Sequence, residues 1–202
     1  MSLSLPSGID LYFCRHGETD ANVQKRFQGL TTDTPLTSTG REQSRSLALL
    51  LTRDRPDPAS LCFVSSPLPR ARSTMEIVLR TLGLPTDRFT TDARLQEIDL
   101  GIWDGLTDDE ARALDPAMFE RRGNDKWDVR VPGGENYADV AKRAESWIGG
   151  LAADTFAVSH GAFTRILRGL FSGMSWQEMS ALDEEQGVLF HVRDNCVTRL
   201  QF

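Results

Sequence analysis

The sequence lacks long apolar runs and blocks of basic residues. Its longest aliphatic stretch, LALLL at 47–51, is far shorter than the roughly 20 apolar residues of a transmembrane helix. The N-terminal MSLSLPSGID has neither the charged nor the apolar region of a signal peptide. Lys and Arg number 23 against 29 Asp and Glu, which gives a net charge of −6. We therefore expect a cytoplasmic protein with no membrane and no nucleic-acid partner.

Cysteine is also scarce. The three cysteines, Cys14, Cys62 and Cys196, are widely spaced and form no C-x-x-C pair, so we expect them to be reduced and mostly buried. The sequence shows no internal repeat, and 40% hydrophobic with 26% charged residues is typical of a globular chain. A length of 202 residues fits one domain, which we assign to residues 1–202.

Apolar periodicity predicts strands that alternate with helices. Strands are predicted at 9–14, 61–65, 155–159 and 187–192, the last pairing with the C-terminal CVTRLQF. Helices are predicted at 38–53, from Ser66 and Pro67 to about Gly83, and at 136–152, and capping boxes at Thr107 and Ser175 open two more. This order favours an α/β fold, a three-layer α/β/α sandwich with a mostly parallel central sheet. The stretch at about 99–135 is interpreted as an insertion that covers the site.

Basic side chains follow three of the predicted strands. The first strand leads into Arg15 and His16, the second into a helix that carries Arg70, and the third into His160. Because ligands of open α/β sheets bind beyond the carboxyl ends of the strands, these four side chains are expected to share one site. The remaining histidine, His191, lies inside a strand and is interpreted as structural.

Two imidazoles and two guanidiniums together favour phosphoryl chemistry. A neutral imidazole can attack phosphorus, and guanidinium forks match phosphoryl oxygens. The departing alcohol needs a proton, so a carboxyl group must lie nearby. The residues alone do not choose that carboxyl group among the 29 acidic residues.

Several segments in order resemble the histidine phosphatase superfamily, the phosphoglycerate-mutase-like group. They are RHGE at 15–18, TDANVQKRFQGLTTDTPLTSTGREQ after it, SSPLPRARSTMEI, RLQEIDLGIWDGLT, PGGEN and AVSHG. R-H-G alone would be a weak signal, whereas this ordered set covers nearly the whole chain.

The resemblance implies a role for each matching residue. His16 would be the nucleophile that becomes phosphohistidine, Arg15, Arg70 and His160 would clamp the phosphoryl group, and Glu97 would be the general acid and then the base. The positions that match the family's substrate pocket are Asn22, Gln28, Gly29, Gly161 and Ala162. The resemblance implies a phosphoglycerate mutase-like fold, no metal and no cofactor, and a small phosphorylated substrate as the partner.

Other functions are weighed against a phosphatase. A phosphoglycerate mutase is disfavoured because the segment between Glu97 and His160 is short and because Ala21 and Ala162 replace residues that mutases favour. The sequence lacks the motifs of cysteine phosphatases, serine hydrolases and P-loop kinases. A phosphoryl-binding signalling module remains an alternative. Glu18 is a second candidate acid, ranked below Glu97.

The predicted insertion contains a cluster of basic residues around Trp127. It comprises Arg121, Arg122, Lys126 and Arg130. These residues either meet a second anionic group or a ring of the substrate, or they are solvated surface charges. The oligomeric state is left open, although an edge strand at the C-terminus is compatible with a homodimer.

Overall fold

The computed structural model of the protein describes residues 3–202, and its centre is a mixed sheet. Across those residues the sheet has six strands: β1 Leu11–Arg15, β2 Cys62–Ser65, β3 Thr90–Thr91, β4 Thr155–Ser159, β5 Leu189–Arg193 and β6 Cys196–Leu200. The spatial order is β3-β2-β4-β1-β5-β6. The first four of these are mutually parallel, whereas β5 runs antiparallel to β1 and β6 antiparallel to β5.

Eight α-helices surround the sheet in the described part of the chain. They are α1 Asp20–Val23, α2 Ser38–Asp54, α3 Pro69–Thr81, α4 Asp108–Leu114, α5 Pro116–Asn124, α6 Tyr137–Ile148, α7 Gly161–Phe171 and α8 Trp176–Ala181. Leu11 and Phe13 of β1 pack into a core with α6 and α7, and Tyr12 and Cys14 pack into a second core with α2 and α3. Because alternate side chains of a strand point to opposite faces, the two cores lie on opposite sides of the sheet. The predicted three-layer sandwich is confirmed.

The structure corrects three details of the sequence prediction. Helix α3 begins at Pro69 with Leu68 as its N-cap, so Ser66 does not cap it. The two-residue strand β3 was missed because it is too short to show an apolar pattern. Cys62 and Cys196 are exposed, and among the cysteines only Cys14 is buried. Each exposed cysteine is the first residue of its strand, β2 or β6. Across residues 3–202, no helix is long and apolar enough to cross a bilayer.

Asp10, just before β1, is the centre of a cluster of charged and polar side chains. Its carboxylate accepts hydrogen bonds from Arg193 Nε at 2.7 Å, His191 Nε2 at 3.3 Å and Arg55 Nη1 at 3.4 Å. The bond from Arg193 outweighs burial and holds the pKa of Asp10 below its ordinary value of 3.8. The ionised carboxylate therefore stabilises the fold above pH 3.8, and that stabilisation is lost as pH falls through the lower folded-state pKa.

Replacing Asp10 with Asn is expected to lower the free energy of unfolding at pH 7 by about 2 kcal/mol, the scale of hydrogen bonds to charged groups. Urea unfolding of the wild type and D10N measures this loss. The exposed Asp87→Asn protein is the matched control and should unfold as the wild type does. The difference between D10N and the wild type should shrink as the pH is lowered below 3.8. A difference that does not change with pH would contradict the ionic explanation.

Candidate active site

The carboxyl edge of the parallel strands brings the predicted arginines and histidines together. In the β1–β4 ladder Arg15 lies opposite Ser159. The ladder continues one step further, where the amide of His16 donates to Ser159 O at 2.9 Å. His16 and His160 therefore leave neighbouring strands at the same edge. Their ring centroids lie 5.2 Å apart with an angle of 60° between the planes.

His16 is buried and held in one orientation. Its Nδ1 lies 2.8 Å from the carbonyl oxygen of Gly17, so Nδ1 must carry the proton and Nε2 keeps its lone pair. Burial, and then the charges of Arg15 and Arg70, keep its pKa well below 6.5. The turn is tight at Gly17, where a Cβ would collide with the carbonyl oxygen of Gly40. The result is a neutral imidazole with a free Nε2.

His160 is fully buried beside His16. Its Nε2 lies 2.7 Å from Ser66 Oγ, the hydroxyl that the sequence pattern suggests as a helix cap. Ser66 Oγ also accepts the amide of Leu68 at 3.3 Å, so its proton is available to His160 Nε2. With that orientation, Nδ1 of His160 bears a proton and has no acceptor among residues 3–202. Burial, and then Arg70 and the other nearby cations, hold the pKa of His160 well below 6.5.

Two guanidiniums flank the histidines. Arg70 is 1% exposed and donates through Nη1 to Asp33 Oδ1 and through Nη2 to Gly29 O, both at 2.9 Å. Arg15 donates to the carbonyl oxygen of Glu184, and its Nη1 lies 3.9 Å from a carboxylate oxygen of that residue. Both guanidiniums contribute to the lowered pKa of His16. They provide fixed positive charge next to the imidazole of His16. Of the four residues, Arg15 and His16 line the pocket as far as residues 3–202 define it, whereas the buried Arg70 and His160 are not part of its lining.

Glu97 lies in the same pocket with its carboxyl group almost buried, since the residue is 7% exposed. Its Oε1 accepts the amides of Ile98 at 2.9 Å and Ala162 at 3.2 Å. Burial, and then the like charge of Glu184, raise the pKa of Glu97 above 4.5. The protonated form, which a general acid needs, therefore persists to higher pH than for an exposed glutamate.

The structure divides the five predicted substrate-binding positions. Asn22, Gln28 and Ala162 line the pocket, but its lining as far as residues 3–202 define it includes neither Gly29 nor Gly161. The amide of Gly29 is bonded to Asp104 at 2.9 Å and its carbonyl to Arg70. A Cβ on Gly161 would stand 2.5 Å from a carboxylate oxygen of Glu184. Both glycines therefore support the wall instead of facing the cavity.

The pocket has a volume of about 390 Å³. Much of its outer wall comes from the predicted insertion at 99–135, which contains α4 and α5. Phe27 stacks on Trp103 with a centroid separation of 5.8 Å, and Phe119 packs against Trp103 at 5.6 Å with the two rings tilted by 40°. The charged end of the cavity thus adjoins an aromatic wall that can pack against a carbon skeleton.

The four basic residues of the insertion lie in different environments. Arg122 and Lys126 line the pocket. Arg121 is exposed, and Arg130 is exposed and paired with Asp139 at 2.6 Å. The expectation of solvated charge holds for Arg121 and Arg130, whereas Arg122 and Lys126 turn towards the cavity.

Sequence reasoning missed Arg165, Glu184 and Gln186. Arg165 Nη1 bonds to Tyr137 Oη at 2.6 Å and lies 3.1 Å from Glu184 Oε1, and Gln186 Nε2 donates to Asn22 Oδ1 at 3.0 Å. Arg165 had a usable signal, because it lies in the first half of a helix that starts directly at the sheet edge. Glu184 and Gln186 had none, since they lie in an irregular loop before β5.

A mostly parallel sheet covered on both faces, with two imidazoles and two guanidiniums at its carboxyl edge, is the architecture of phosphoglycerate mutase-like histidine phosphatases. The family model for the histidine phosphatase superfamily (branch 1) matches residues 11–193, and the chain belongs to this superfamily. The likeness in structure covers nearly the whole chain. A Bacillus stearothermophilus protein, YhfR, superimposes with a TM-score of 0.80 at 28% identity, covering 95% of each chain.

Similar proteins include both phosphatases and mutases. The α-ribazole phosphatase of Shigella flexneri has a TM-score of 0.79 at 27% identity over 94% of each chain. A mycobacterial glucosyl-3-phosphoglycerate phosphatase, solved with VO3, has a TM-score of 0.76 at 27% identity over 96% of this chain and 98% of that one. A Salmonella choleraesuis protein named as a probable phosphoglycerate mutase, GpmB, is 32% identical over 68% of this chain, which spans 60% of that protein's length.

Proposed function

We propose that the protein hydrolyses a phosphomonoester of a small metabolite through a phosphohistidine at Nε2 of His16. The observation that carries this proposal is the 2.8 Å contact between His16 Nδ1 and Gly17 O. It leaves the Nε2 lone pair free, and burial together with Arg15 and Arg70 keeps the ring neutral by lowering its pKa. A neutral, oriented imidazole is the form that can attack phosphorus.

The phosphoryl group would be held by Arg15, Arg70 and His160. The two guanidiniums supply charge that does not depend on pH, and the protonated Nδ1 of His160 supplies a donor that has no acceptor in the described residues. As the phosphoryl group is transferred, negative charge spreads over its equatorial oxygens. Donors already fixed around that position stabilise this charge without having to reorganise.

Proton transfer is assigned to Glu97. In the first half-reaction Nε2 of His16 forms the P–N bond while the P–O bond breaks, and protonated Glu97 gives its proton to the departing alcohol oxygen. In the second, the Glu97 carboxylate takes a proton from the water that attacks phosphorus, the P–N bond breaks and inorganic phosphate leaves. Both the enzyme and its protons are then restored. None of these steps uses a metal or another cofactor.

A phosphoglycerate mutase is the second candidate, favoured by the likeness to the Salmonella protein. In that reaction a second hydroxyl group of the substrate, instead of water, would take the phosphoryl group from His16. Ala21, Ala162 and the short segment between Glu97 and His160 favour hydrolysis, because mutases prefer other residues there and a longer segment.

A phosphate-release screen tests the proposal. Purified protein in the presence of a chelator is expected to release inorganic phosphate from at least one of a panel of sugar phosphates, phosphoglycerates, nucleoside monophosphates and phosphoserine. Interconversion of 2- and 3-phosphoglycerate is measured in parallel. Interconversion without phosphate release would favour the mutase. If neither phosphate release nor interconversion is detected, the proposal that the protein is an enzyme of this kind is wrong.

A further inference from the structure

Strand β6 forms one edge of the sheet, and no strand lies beyond it among residues 3–202. It follows β5 through a two-residue loop, Asp194 and Asn195, whose φ angles of 49° and 62° are both positive. Two positive φ angles in succession indicate a type I′ turn, the tight turn of two-residue hairpins. The turn type therefore fixes the hydrogen-bond pattern of the hairpin.

This pattern leaves alternate backbone groups of β6 facing outwards. The residues that flank a two-residue loop, here Arg193 and Cys196, exchange backbone hydrogen bonds, and bonded pairs then recur at every second position. The N–H and C=O groups of Val197 and Arg199 lie between the bonded positions. They therefore point away from β5, towards the free edge of the sheet.

The free edge has little protection against pairing with another chain. Proteins usually guard an exposed edge with proline, lysine, a bulge or a covering segment. The sequence of β6, CVTRL, contains neither proline nor lysine, and its residues pair with β5 in an unbroken register. Its one charged residue, Arg199, is engaged within the chain, because its Nε donates to Glu185 Oε2 at 2.8 Å. The edge of β6 is therefore open to a further strand.

Two exposed apolar side chains lie beside the C-terminal end of β6. Arg53 of α2 donates through Nη2 to the carbonyl oxygen of Gln201 at 3.2 Å, and its guanidinium lies over the ring of Phe202, 5.3 Å from the centroid. Phe202 is 74% exposed, and Leu49, one helical turn before Arg53, is 54% exposed. These side chains extend the surface that a partner on β6 would cover.

The two ends of β6 carry opposite charges. Asp194 lies at the hairpin tip, just before the strand, and Arg53 lies at the other end. Both residues are exposed, and neither has an ion-pair partner within the described chain. When two identical strands pair in antiparallel fashion, the first end of one meets the last end of the other. A second copy of this chain would therefore bring Arg53 of each protomer next to Asp194 of the other.

We propose that the protein forms a homodimer in which β6 of one protomer pairs antiparallel with β6 of its partner, so that the two sheets become one continuous sheet. A second copy fits this edge because a two-fold axis satisfies the backbone groups and the charges at both ends with the same surface. The inference does not depend on the proposed activity, since no residue of β6 lines the pocket as far as residues 3–202 define it.

The position of the two-fold axis follows from the outward backbone groups. Pairing of Val197 with Arg199 of the other protomer uses all the outward groups of both strands and places Thr198 on the axis. An axis at Arg199 would bring two guanidinium side chains directly opposite each other, which is unfavourable. An axis at Val197 would need backbone bonds from Asn195, which lies in the turn. The axis is therefore expected at Thr198.

Sedimentation equilibrium tests whether the edge pairs. The wild type is expected to dimerise with a Kd on the order of 10 µM, as small interfaces do. Arg199→Pro should weaken the dimer by at least about tenfold, because proline removes an N–H group that only the partner strand can use. Arg199→Ala is the matched control. It loses the same contact with Glu185 but keeps the N–H group, so it should associate as the wild type does.

The charges at the ends of β6 give a second variant. Arg53→Glu is expected to weaken the dimer because it sets a carboxylate next to Asp194 of the other protomer. Arg72→Glu, the same change at an exposed position of α3, is the control and should leave association unchanged.

Disulfide cross-linking locates the axis. In a background that carries Cys62→Ser and Cys196→Ser, Thr198→Cys would place two thiols across the axis with Cα atoms about 4.5 Å apart, within the range of a disulfide. Oxidised T198C protein is expected to run as a covalent dimer on a non-reducing gel. Asp87→Cys in the same background, at an exposed position just before β3, is the control and should stay monomeric on the gel.

Three results would each overturn the inference. They are a wild type that stays monomeric at about 100 µM, well above the expected Kd, a dimer that R199P leaves unchanged, and T198C protein that cross-links no faster than D87C. If R199P does not fold, as judged by circular dichroism, the comparison of T198C with D87C decides.

Discussion

Replacing His16 with Ala is expected to lower kcat for phosphate release by at least about 10³-fold, as removal of a covalent nucleophile does in other enzymes. The His16 imidazole is 1% exposed. Alanine leaves no nitrogen that can form the P–N bond, and a water molecule that enters the vacated space has no group to orient it for attack. Phosphate release from the best ester of the screen gives the number.

His191→Gln is the matched control for loss of a histidine. His191 lies on β5 opposite Tyr12, near the start of β1, whereas His16 follows the end of that strand. Its ring nitrogens contact Asp10 and Asp54, so its loss acts on stability and not on chemistry.

A comparison of the wild type with H16A also distinguishes hydrolysis through a phosphoenzyme from direct attack by water. Acid-labile, base-stable phosphoprotein should accumulate when the wild type is quenched during turnover, and should be absent from H16A. Undiminished turnover by H16A would contradict the role of His16 as nucleophile. Turnover in the wild type without any phosphoprotein would favour direct attack by water.

The positions of the predicted strands were enough to group the arginines and histidines of the site. Residues that directly follow a parallel strand must lie at its carboxyl edge, so Arg15, His16 and His160 could be grouped from the order of strands and helices alone. Arg70 followed from the helix after β2. Glu97 could be chosen only by family resemblance, because a carboxyl group in an irregular loop has no periodic signal.

The remaining features depend on long-range packing. Glu184 meets Arg15 across 169 positions of sequence, and Ser66 meets His160 across 94. No local pattern indicates such pairs. Ser66 also shows how a local rule can mislead, because a serine before proline is a good helix cap. Here its hydroxyl is engaged by a buried imidazole instead, and the helix begins three residues later.

Replacing Glu97 with Gln is expected to have an effect that depends on the leaving group. For an alkyl phosphate kcat/KM, which reports the steps up to departure of the alcohol, should fall by about 10²- to 10⁴-fold, the usual contribution of a general acid. For p-nitrophenyl phosphate kcat/KM should fall far less, because a nitrophenolate leaves without needing a proton. The side-chain oxygen of the E97Q protein can still accept the backbone amides of Ile98 and Ala162, as the carboxylate does in the wild type, so the fold should be retained.

The pH profile provides a second measurement of the same role. The pKa of Glu97 lies above 4.5, so kcat/KM of the wild type on an alkyl phosphate should fall as pH rises through that raised pKa. The acidic limb belongs to His16, whose pKa lies well below 6.5, and both proteins should show it. Only the wild type should show the alkaline limb assigned to Glu97.

Glu18→Gln is the control for the other candidate acid. Glu18 Oε1 accepts Thr37 Oγ1 at 2.7 Å, and Thr37 caps α2, so this carboxylate holds the start of a helix. Its substitution should affect alkyl and nitrophenyl esters equally. If E18Q, and not E97Q, discriminated between the two leaving groups, the proton would come from Glu18. The raised pKa of Glu97 would then be a consequence of burial next to Glu184, without a part in the reaction.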